Sequence, residues 1–530
     1  MLCDRVRYLS IPKKKGKVFI SPEPSKWLPF LTENKLIAAN ITDRLKSRYE
    51  LLRIARDYTQ TVMDWVNIGN VSQNIIATGH QATWHHSGIW AKNLATCKFA
   101  QAVDGNSLHI VLDHDICDTA LVLPRCSPDG NWHTERFEIE SEQKSVPLEF
   151  RRPPSKNCIK AFVDSVTTAP PEQFCYDIWP EYLAYGFDKI PHFYSIAELI
   201  TYFQSMLNFG LGLNMIYLPV SKLSESDAFI DFAISIMLDA YQFAKIYNKA
   251  VIRQLCASRS NRRNTVPCLR LDRINRGIEL PFWLQSPNSK RTSLCVALEK
   301  NNRIRIGSDT NVLDELDTSC RIGKVDQLRN MLRRSGYCLR PKAVSLTAFI
   351  RLYLADWFVH GIGGSVYEPV TDYIIENYFG IRPLKYGIAT CTQTLFSLDS
   401  VASFTEKISQ LRHEFHNMKH NPERYMDESV QKQEPVVSLL RAKKEKIAQA
   451  KNRSAPTSKR KAAWKSLLQI NRRLSEYTEN AAIEIEKKIS ESEKNRISHE
   501  VCNCREYFFG LFSENKLRRL TESITFTEFE

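Results

Sequence analysis

The chain has 530 residues, a net charge of +14, 43% hydrophobic and 25% charged side chains, as in an ordinary globular protein of two to four domains. Its basic balance suits anionic partners such as nucleotides, acidic metabolites, RNA or anionic lipid, without choosing among them. Fourteen cysteines occur singly apart from Cys502 and Cys504, and no C-x-x-C is present, which argues against a disulfide framework or a zinc motif. No signal-peptide pattern opens the chain, and no apolar run reaches transmembrane length. The nearest, Asp227 to Lys245, is punctuated by Asp231, Asp239 and Gln242. A soluble, cytoplasmic protein with reduced thiols is expected, with no membrane partner.

Residues 1–70 hold a proline-rich start and then a helix from about Ile41 to Trp65, with Leu51, Leu52, Ile54, Val62 and Val66 facing inward. The next stretch is the most informative. Ile75 to Thr78 is a short apolar run ending at Gly79, and it reads as a buried strand stopping at a turn. A loop with His80, Gln81, His85, His86, Ser87 and Gly88 follows, then a helix over Ile89 to Ala102 that carries Lys92 and Asn93. A strand, a polar glycine-containing loop and a helix N-terminus form an anion-binding unit, because the first helical turn has free N–H groups and a positive dipole end. Lys92, one turn in, can reach back. The next apolar run, Leu108 to Leu112, ends in Asp113-His114-Asp115. A right-handed crossover makes the two strands parallel neighbours and brings both loops to one sheet edge, where ligands of open α/β sheets bind. There is no G-x-G-x-x-G or Walker pattern. Three histidines within seven residues, followed by a two-Asp cluster, nonetheless mark a candidate site.

Residues 121–190 contain short strands and turns, including Ser127-Pro128-Asp129-Gly130 and Pro170-Pro171, and read as an insertion. Ile196 to Met206 is helical, Met215 to Pro219 a strand, Ser221 to Ser226 a polar turn and Asp227 to Tyr247 a long helix. Leu280 to Leu284, Ser293 to Leu298 and Ile304 to Ile306 read as antiparallel strands within an inserted region at about 260–310. Val344 to Val359 reads as one apolar helix ending at His360-Gly361-Ile362-Gly363-Gly364. Pro369 to Phe379 is the next helix, with proline in its first turn. A glycine cluster there allows close backbone approach to a ligand or to another helix, so Gly361, Gly363 and Gly364 join the candidate set. From Ser403 glycine vanishes until Gly510. Leu467, Ile470, Leu474, Tyr477 and Ala481 step by three and four as a coiled-coil seam, and Pro456 breaks the helix. A helical hairpin with a basic tip follows, residues 441–465 carrying ten Lys or Arg and one Glu. Such a run is usually a solvated face, so nucleic acid is not the expected partner. Ile483, Ile485 and Ile489 fall off the seam and call for a second copy of the arm, hence a homodimer through residues 430–500.

The order Thr78-Gly79-His80-Gln81, Ser87-Gly88, a lysine, and a strand ending Asp113-His114-Asp115 resembles the bacillithiol biosynthesis cysteine-adding enzymes. Those proteins carry a Thr-Gly-Gln-Gln loop and an Asp-His-Asp after the next strand. Leu339-Arg340-Pro341, Ile362-Gly363-Gly364 and the closing Arg505-Glu506-Tyr507-Phe508-Phe509-Gly510-Leu511-Phe512 also have counterparts, so the resemblance spans roughly residues 70–520. His80 replaces the family's first glutamine, His86-Ser87-Gly88 stands where the family has Thr-Gly-Pro, Lys92 is offset, and Gly363-Gly364 lacks the following Pro-Gly. His86-Ser87-Gly88 also matches the first half of the His-x-Gly-His signature of class I aminoacyl-tRNA synthetases, with Ile89 where the second histidine would stand.

The resemblance implies an α/β fold: a Rossmann-like parallel sheet core with an inserted smaller domain and a C-terminal α-helical coiled-coil hairpin. The expected organisation is an N-terminal helical segment at 1–70, the core at 71–400, the arm at 401–504, and a segment at 505–530 returning to the core. The implied activity is that of a ligase-like enzyme joining cysteine or a similar amino acid to an amino-sugar, with ATP or ADP as nucleotide. His85, His86, Asp113 and Asp115 are the candidate catalytic residues. Gly79, His80, Gln81, Ser87, Gly88, Lys92, Asn93, His114 and the three loop glycines are the candidate binding residues. A metal-dependent hydrolase built on His80, His85, His86, Asp113, His114 and Asp115 is one alternative, although their spacing matches no standard zinc motif. A non-catalytic assembly protein working through its coiled coil is the other.

Overall fold

A computed structural model describes residues 12, 15–63, 74–128, 130–139, 145–167, 193–257, 266–272, 277–287, 289–299, 302–309, 311–317, 323–395 and 402–526. The chain is a mixed α/β protein whose contacts divide it into two compact units: residues 1–123, 136–395 and 505–530, and residues 124–135 and 396–504. The expected extension of the first long helix to Trp65, Pro170-Pro171 and the rest of 168–190, and residues 260–265 lie outside the described residues.

The strands are β1 (Val18–Ser21), β2 (Ile75–Gln81), β3 (Asn106–Leu112), β4 (Leu121–Cys126), β5 (Trp132–Phe137), β6 (Ile216–Pro219), β7 (Leu271–Asp272), β8 (Gly277–Ser286), β9 (Ser289–Leu298), β10 (Arg303–Gly307), β11 (Val312–Asp317), β12 (Cys338–Pro341), β13 (Trp357–His360) and β14 (Gly387–Cys391). In the first unit, one sheet has the order β1-β14-β13-β2-β3-β6. Its last five strands pair in parallel and β1 closes the edge antiparallel to β14. Parallel strands covered on both faces read as continuous apolar runs, as Ile75–Ala77 and Leu108–Val111 do. The chain moves from β2 outward to β3 and β6, then returns to the other side of β2 for β13 and β14. The order therefore reverses between β2 and β13, which opens a crevice at their carboxyl ends.

The helices that frame this sheet are α1 (Trp27–Ala38), α2 (Arg44–Val62), α3 (Ser87–Ala102), α4 (Ile196–Gly210), α5 (Asp227–Leu238), α6 (Ala240–Ala257), α7 (Lys324–Ser335), α8 (Ala343–Tyr353) and α9 (Glu368–Asn377). α3 packs on β2, β3, β13 and β14, while α2 packs on β6. Buried Asp356 fixes the lower end of the sheet by accepting from Ile75 N at 2.8 Å while pairing with Arg44 and Arg48. A second, antiparallel sheet runs β11-β10-β9-β8-β12, with β7 beside β8. Its Ile278, Leu280, Phe282 and Leu284 join Leu108, Leu218, Phe229 and Phe349 in one core.

Three expectations are corrected. Val344 to Val359 is not one helix: α8 stops at Tyr353, and Trp357–His360 is the buried strand β13. A fully buried strand has no alternation, so its apolar run continued the helical pattern. The glycine cluster consequently follows a strand, not a helix. Asp227 to Tyr247 is two helices broken at Asp239, which leaves helical geometry at φ −121° and ψ 36°. The turn expected at Ser221 begins as a single helical turn, Val220–Leu223.

The second unit is helical apart from its share of the β4–β5 hairpin. Its longer helices are α10 (Ala402–His420), α11 (Glu434–Lys451), α12 (Thr457–Ser475) and α13 (Glu479–Asn503). α11 pairs with α12 across a break at 452–456, and α10 pairs with α13. Leu467 and Leu474 are buried and Ile470 half-buried, but Tyr477 is exposed. A 3-10 turn at Glu476–Thr478 interrupts the helical period there and rotates Tyr477 off the seam.

Candidate active site at the carboxyl edge of the parallel sheet

The register determines which residues meet. Thr78 lies opposite Val359, so His80 and Gln81 emerge beside the His360–Gly364 segment. Gln81 lies opposite Leu112, so Asp113–Asp115 follow directly on its other side. Val111 lies opposite Pro219, so Ser221 emerges beside Asp113. Four segments separated in sequence thus share one edge.

At the crevice between β2 and β13 the central group is Lys92. It is 5% exposed, and its Nζ donates to the Gly79 carbonyl at 2.7 Å. It also lies against Gly361, where an added Cβ would touch the Lys92 stem. Burial lowers its ammonium from an ordinary 10.5 to about 7. Among the described residues no carboxylate pairs with it. Gly79 itself admits no side chain, because a Cβ would press on the Ile110 carbonyl. Behind the glycine loop, buried Glu368 pairs with Arg351 at 2.5 Å and lies 3.4 Å from His360 Nε2. This packing holds the end of β13.

The histidines have separate tasks. His80 and His85 are both held below the ordinary imidazole range by burial, His85 to about 3. His85 Nε2–H donates to the Gln81 carbonyl at 3.0 Å, and its backbone N–H donates to Gln204. Its Nδ1 has no partner among the described residues. That ring lines an internal cavity of about 10 Å³ with His109, Asn93, Gln204, Asn208 and Tyr217, room for about one water. His85 therefore faces this small cavity beside Gln81. Asn93 Oδ1 meets His109 Nδ1 at 3.0 Å, which likewise ties α3 to β3.

His86 is the N-cap of α3. Its Nδ1 accepts from Gly88 N at 3.0 Å, and burial followed by the nearby Arg505 charge lowers it to about 4. Arg505 covers the same turn, so that any side chain at Gly88 would collide with its guanidinium and with the Cys391 carbonyl. Ser87 Oγ is fully buried without a partner. The α3 N-terminus is therefore capped by His86, and the Arg505 guanidinium lies against the same turn. Lys92 is the buried cation at the β2/β13 crevice itself. With their pKa values so lowered, His85 and His86 are neutral imidazoles near pH 7 and carry no charge to stabilise an oxyanion.

The two aspartates also diverge. Asp113 is buried, and both its oxygens accept from Ser221, Oδ1 from the backbone N at 3.0 Å and Oδ2 from the hydroxyl. Burial, then the neighbouring Glu149 charge, raises it to about 7. Glu149 is clamped by Arg340 at 2.7 Å, and this outweighs the effect of burial to hold it below the usual carboxylate range. Asp113 thus binds the helical turn Val220–Leu223 that follows β6. His114 is buried and lowered to about 4, chiefly by burial. Asp115 is half-buried. Burial alone would raise it, but hydrogen bonds from Arg291 at 2.8 Å and Gln81 at 3.3 Å hold it below its ordinary value.

Glu149, Ser221 and Arg291 were not singled out from sequence, and Arg340 was noted only within Leu339-Arg340-Pro341. Glu149 and Arg340 are 191 positions apart, and no spacing rule links them. Among the described residues no three His, Cys, Asp or Glu side chains are grouped to hold a metal ion. Every cysteine among them is a free thiol. No known family model matches the chain, and no curated protein matches it either.

Proposed function

We propose that the first unit is the catalytic part of a ligase-like enzyme that forms a carbon–nitrogen bond between cysteine, or a similar amino acid, and an amino-sugar, with ATP or ADP bound. In this reading the six-stranded sheet is a Rossmann-like core whose β2/β13 crevice takes the nucleotide. One observation carries it: Lys92 is a buried amine without a carboxylate partner among the described residues, held between Gly79 of β2 and Gly361 at the point where strand order reverses. A buried cation without a counter-ion costs stability, and such groups concentrate at functional sites. A phosphate would supply the missing charge. The nucleotide would be held by Lys92 and the glycine loops, and it would supply the driving force for joining a carboxyl to an amine. Neutral His80 and Gln81 border the crevice as hydrogen-bonding groups. The order of motifs shared with the cysteine-adding enzymes supports the choice of amino acid and acceptor.

The second unit, in the same reading, is a coiled-coil arm that makes a cytoplasmic homodimer. Its support is exposed apolar surface on α12 and α13, where Trp464 is 53% and Ile483 58% exposed. The catalytic reading is tested by thermal melting of the purified chain with ATP, ADP, L-cysteine and amino-sugars. A ligand at about a hundred times its dissociation constant adds roughly 3 kcal/mol to stability. A clear shift with a nucleotide is expected, and none with any nucleotide would overturn the reading.

A further inference from the structure

We propose that the Asp115–Arg291 pair is the seat for the α-amino and α-carboxylate groups of an amino acid substrate. This deepens the ligase reading and rests on it for the class of substrate.

The pair joins the β3 carboxyl end to β9 of the second sheet, with Arg291 Nη1 donating to Asp115 Oδ1 at 2.8 Å. Both side chains keep solvent access, at 27% and 30% exposure. Oδ1 is fully used, since it also accepts from Ile116 N at 2.9 Å. Among the described residues Oδ2 accepts only the long 3.3 Å bond from Gln81. An ionised carboxylate offers about four acceptor sites, so Oδ2 has room for an ammonium. A guanidinium has five N–H donors, and among the described residues Arg291 spends one, on Asp115. Its remaining donors are open to a carboxylate, for which the planar fork is well shaped.

The pair is also held in place. Arg291 lies 4.8 Å from the Trp283 ring centre and Lys342 Nζ 4.2 Å from it, while Lys342 is anchored to Glu279 at 2.7 Å and Ser293 at 2.9 Å. Cation–π contact with a fixed indole limits where the guanidinium can swing. At the other end, Gln81 ties Asp115 to the β2 loop, on the other side of which lies the Lys92 crevice. Taken alone the pair is neutral. A zwitterion laid head to tail along it places ammonium on carboxylate and carboxylate on guanidinium, whereas a simple anion or cation gains one contact and meets one repulsion. The pair therefore selects a zwitterionic headgroup.

Titration calorimetry on the full chain tests this with three probes: L-cysteine, cysteamine, which lacks the carboxylate, and 3-mercaptopropionate, which lacks the ammonium. Loss of one charge-assisted contact should weaken L-cysteine about 10- to 100-fold in both Asp115→Asn and Arg291→Gln. Cysteamine should bind Arg291→Gln more tightly than wild type, because the repulsion is relieved, and lose affinity for Asp115→Asn. 3-Mercaptopropionate should show the opposite pattern. Arg291→Lys, which keeps the charge but not the fork, should fall between wild type and Arg291→Gln and controls for folding. Equal L-cysteine binding by wild type and both charge-neutralised variants overturns the proposal, as does failure of the two analogues to sort. ADP is titrated into the same preparations. ADP binding without L-cysteine binding in wild type overturns the headgroup seat alone, and binding of neither overturns the ligase reading with it.

Discussion

Replacing Lys92 with methionine should make the protein more stable near neutral pH while removing nucleotide binding. Methionine retains the length and most of the volume of the lysine stem, so packing against Gly361 is little changed. The ammonium falls from 10.5 to about 7 on burial, which corresponds to about 4–5 kcal/mol disfavouring the charged form in the folded state. Below about pH 7 the lysine is protonated both folded and unfolded, and the full penalty applies. Between about 7 and 10.5 the unfolded chain binds more protons than the folded one, so wild-type stability rises with pH. Above that range the penalty is gone. The variant lacks this dependence. It also leaves the Gly79 carbonyl without its 2.7 Å donor, a cost of about 1–3 kcal/mol. The balance is a net gain of about 2–3 kcal/mol at pH 6.5, becoming a net loss by pH 10. Urea unfolding followed by fluorescence of the buried Trp27, Trp90 and Trp357 measures this at both pH values. ADP melting shifts on the same samples should be present in wild type and absent in the variant. A variant less stable than wild type at pH 6.5, or a stability difference that does not move with pH, would refute the buried-cation argument.

Asp113 should behave as a structural carboxylate. Its pKa is raised to about 7, so its favourable contribution is present below about pH 4 and lost as pH rises through 7. Asp113→Asn keeps an acceptor for Ser221 N without the buried charge. Unfolding free energies from urea titration should match wild type near pH 3.5 and exceed it at pH 8, by on the order of 2 kcal/mol. Lower stability of the variant at pH 8 would count against this role. In the second unit, Trp464→Glu with Leu468→Glu alters two exposed α12 positions one turn apart. Light scattering should find a dimer for wild type and a monomer for the double variant, and a monomeric wild type would end the dimer proposal.

The sequence could be read well where a short apolar run ended in a marked turn. Leu108–Leu112 before Asp113 gave β3 and Ile75–Thr78 the start of β2, which runs on through Gly79 to Gln81 instead of stopping at a turn, and right-handed crossover made the two neighbours. It could not be read where burial erased periodicity. Trp357–His360 is a four-residue strand buried on both faces, so its pattern merged with that of α8. Missing β13 hid the crevice, because the reversal of strand order depends on it. The polarity of the loop residues was also no guide to their direction. His85 and Asn93 are polar by type yet spend hydrogen bonds on the Gln81 carbonyl and on His109, and His86 spends its ring on capping α3. Arg291 carries no signal in sequence: a charged residue on a strand reads as solvated, and only the pairing of two sheets brings it to Asp115.

Hydrogen–deuterium exchange of the full chain, with and without ADP and L-cysteine, tests the central claim most directly. Slowed exchange is expected in the segments covering 79–88, 113–116 and 361–364, with 79–88 and 361–364 responding to ADP alone and 113–116 to L-cysteine. Protection confined to residues 402–504, or no protection of the three loops by either ligand, would contradict a ligand site at the carboxyl edge of the parallel sheet.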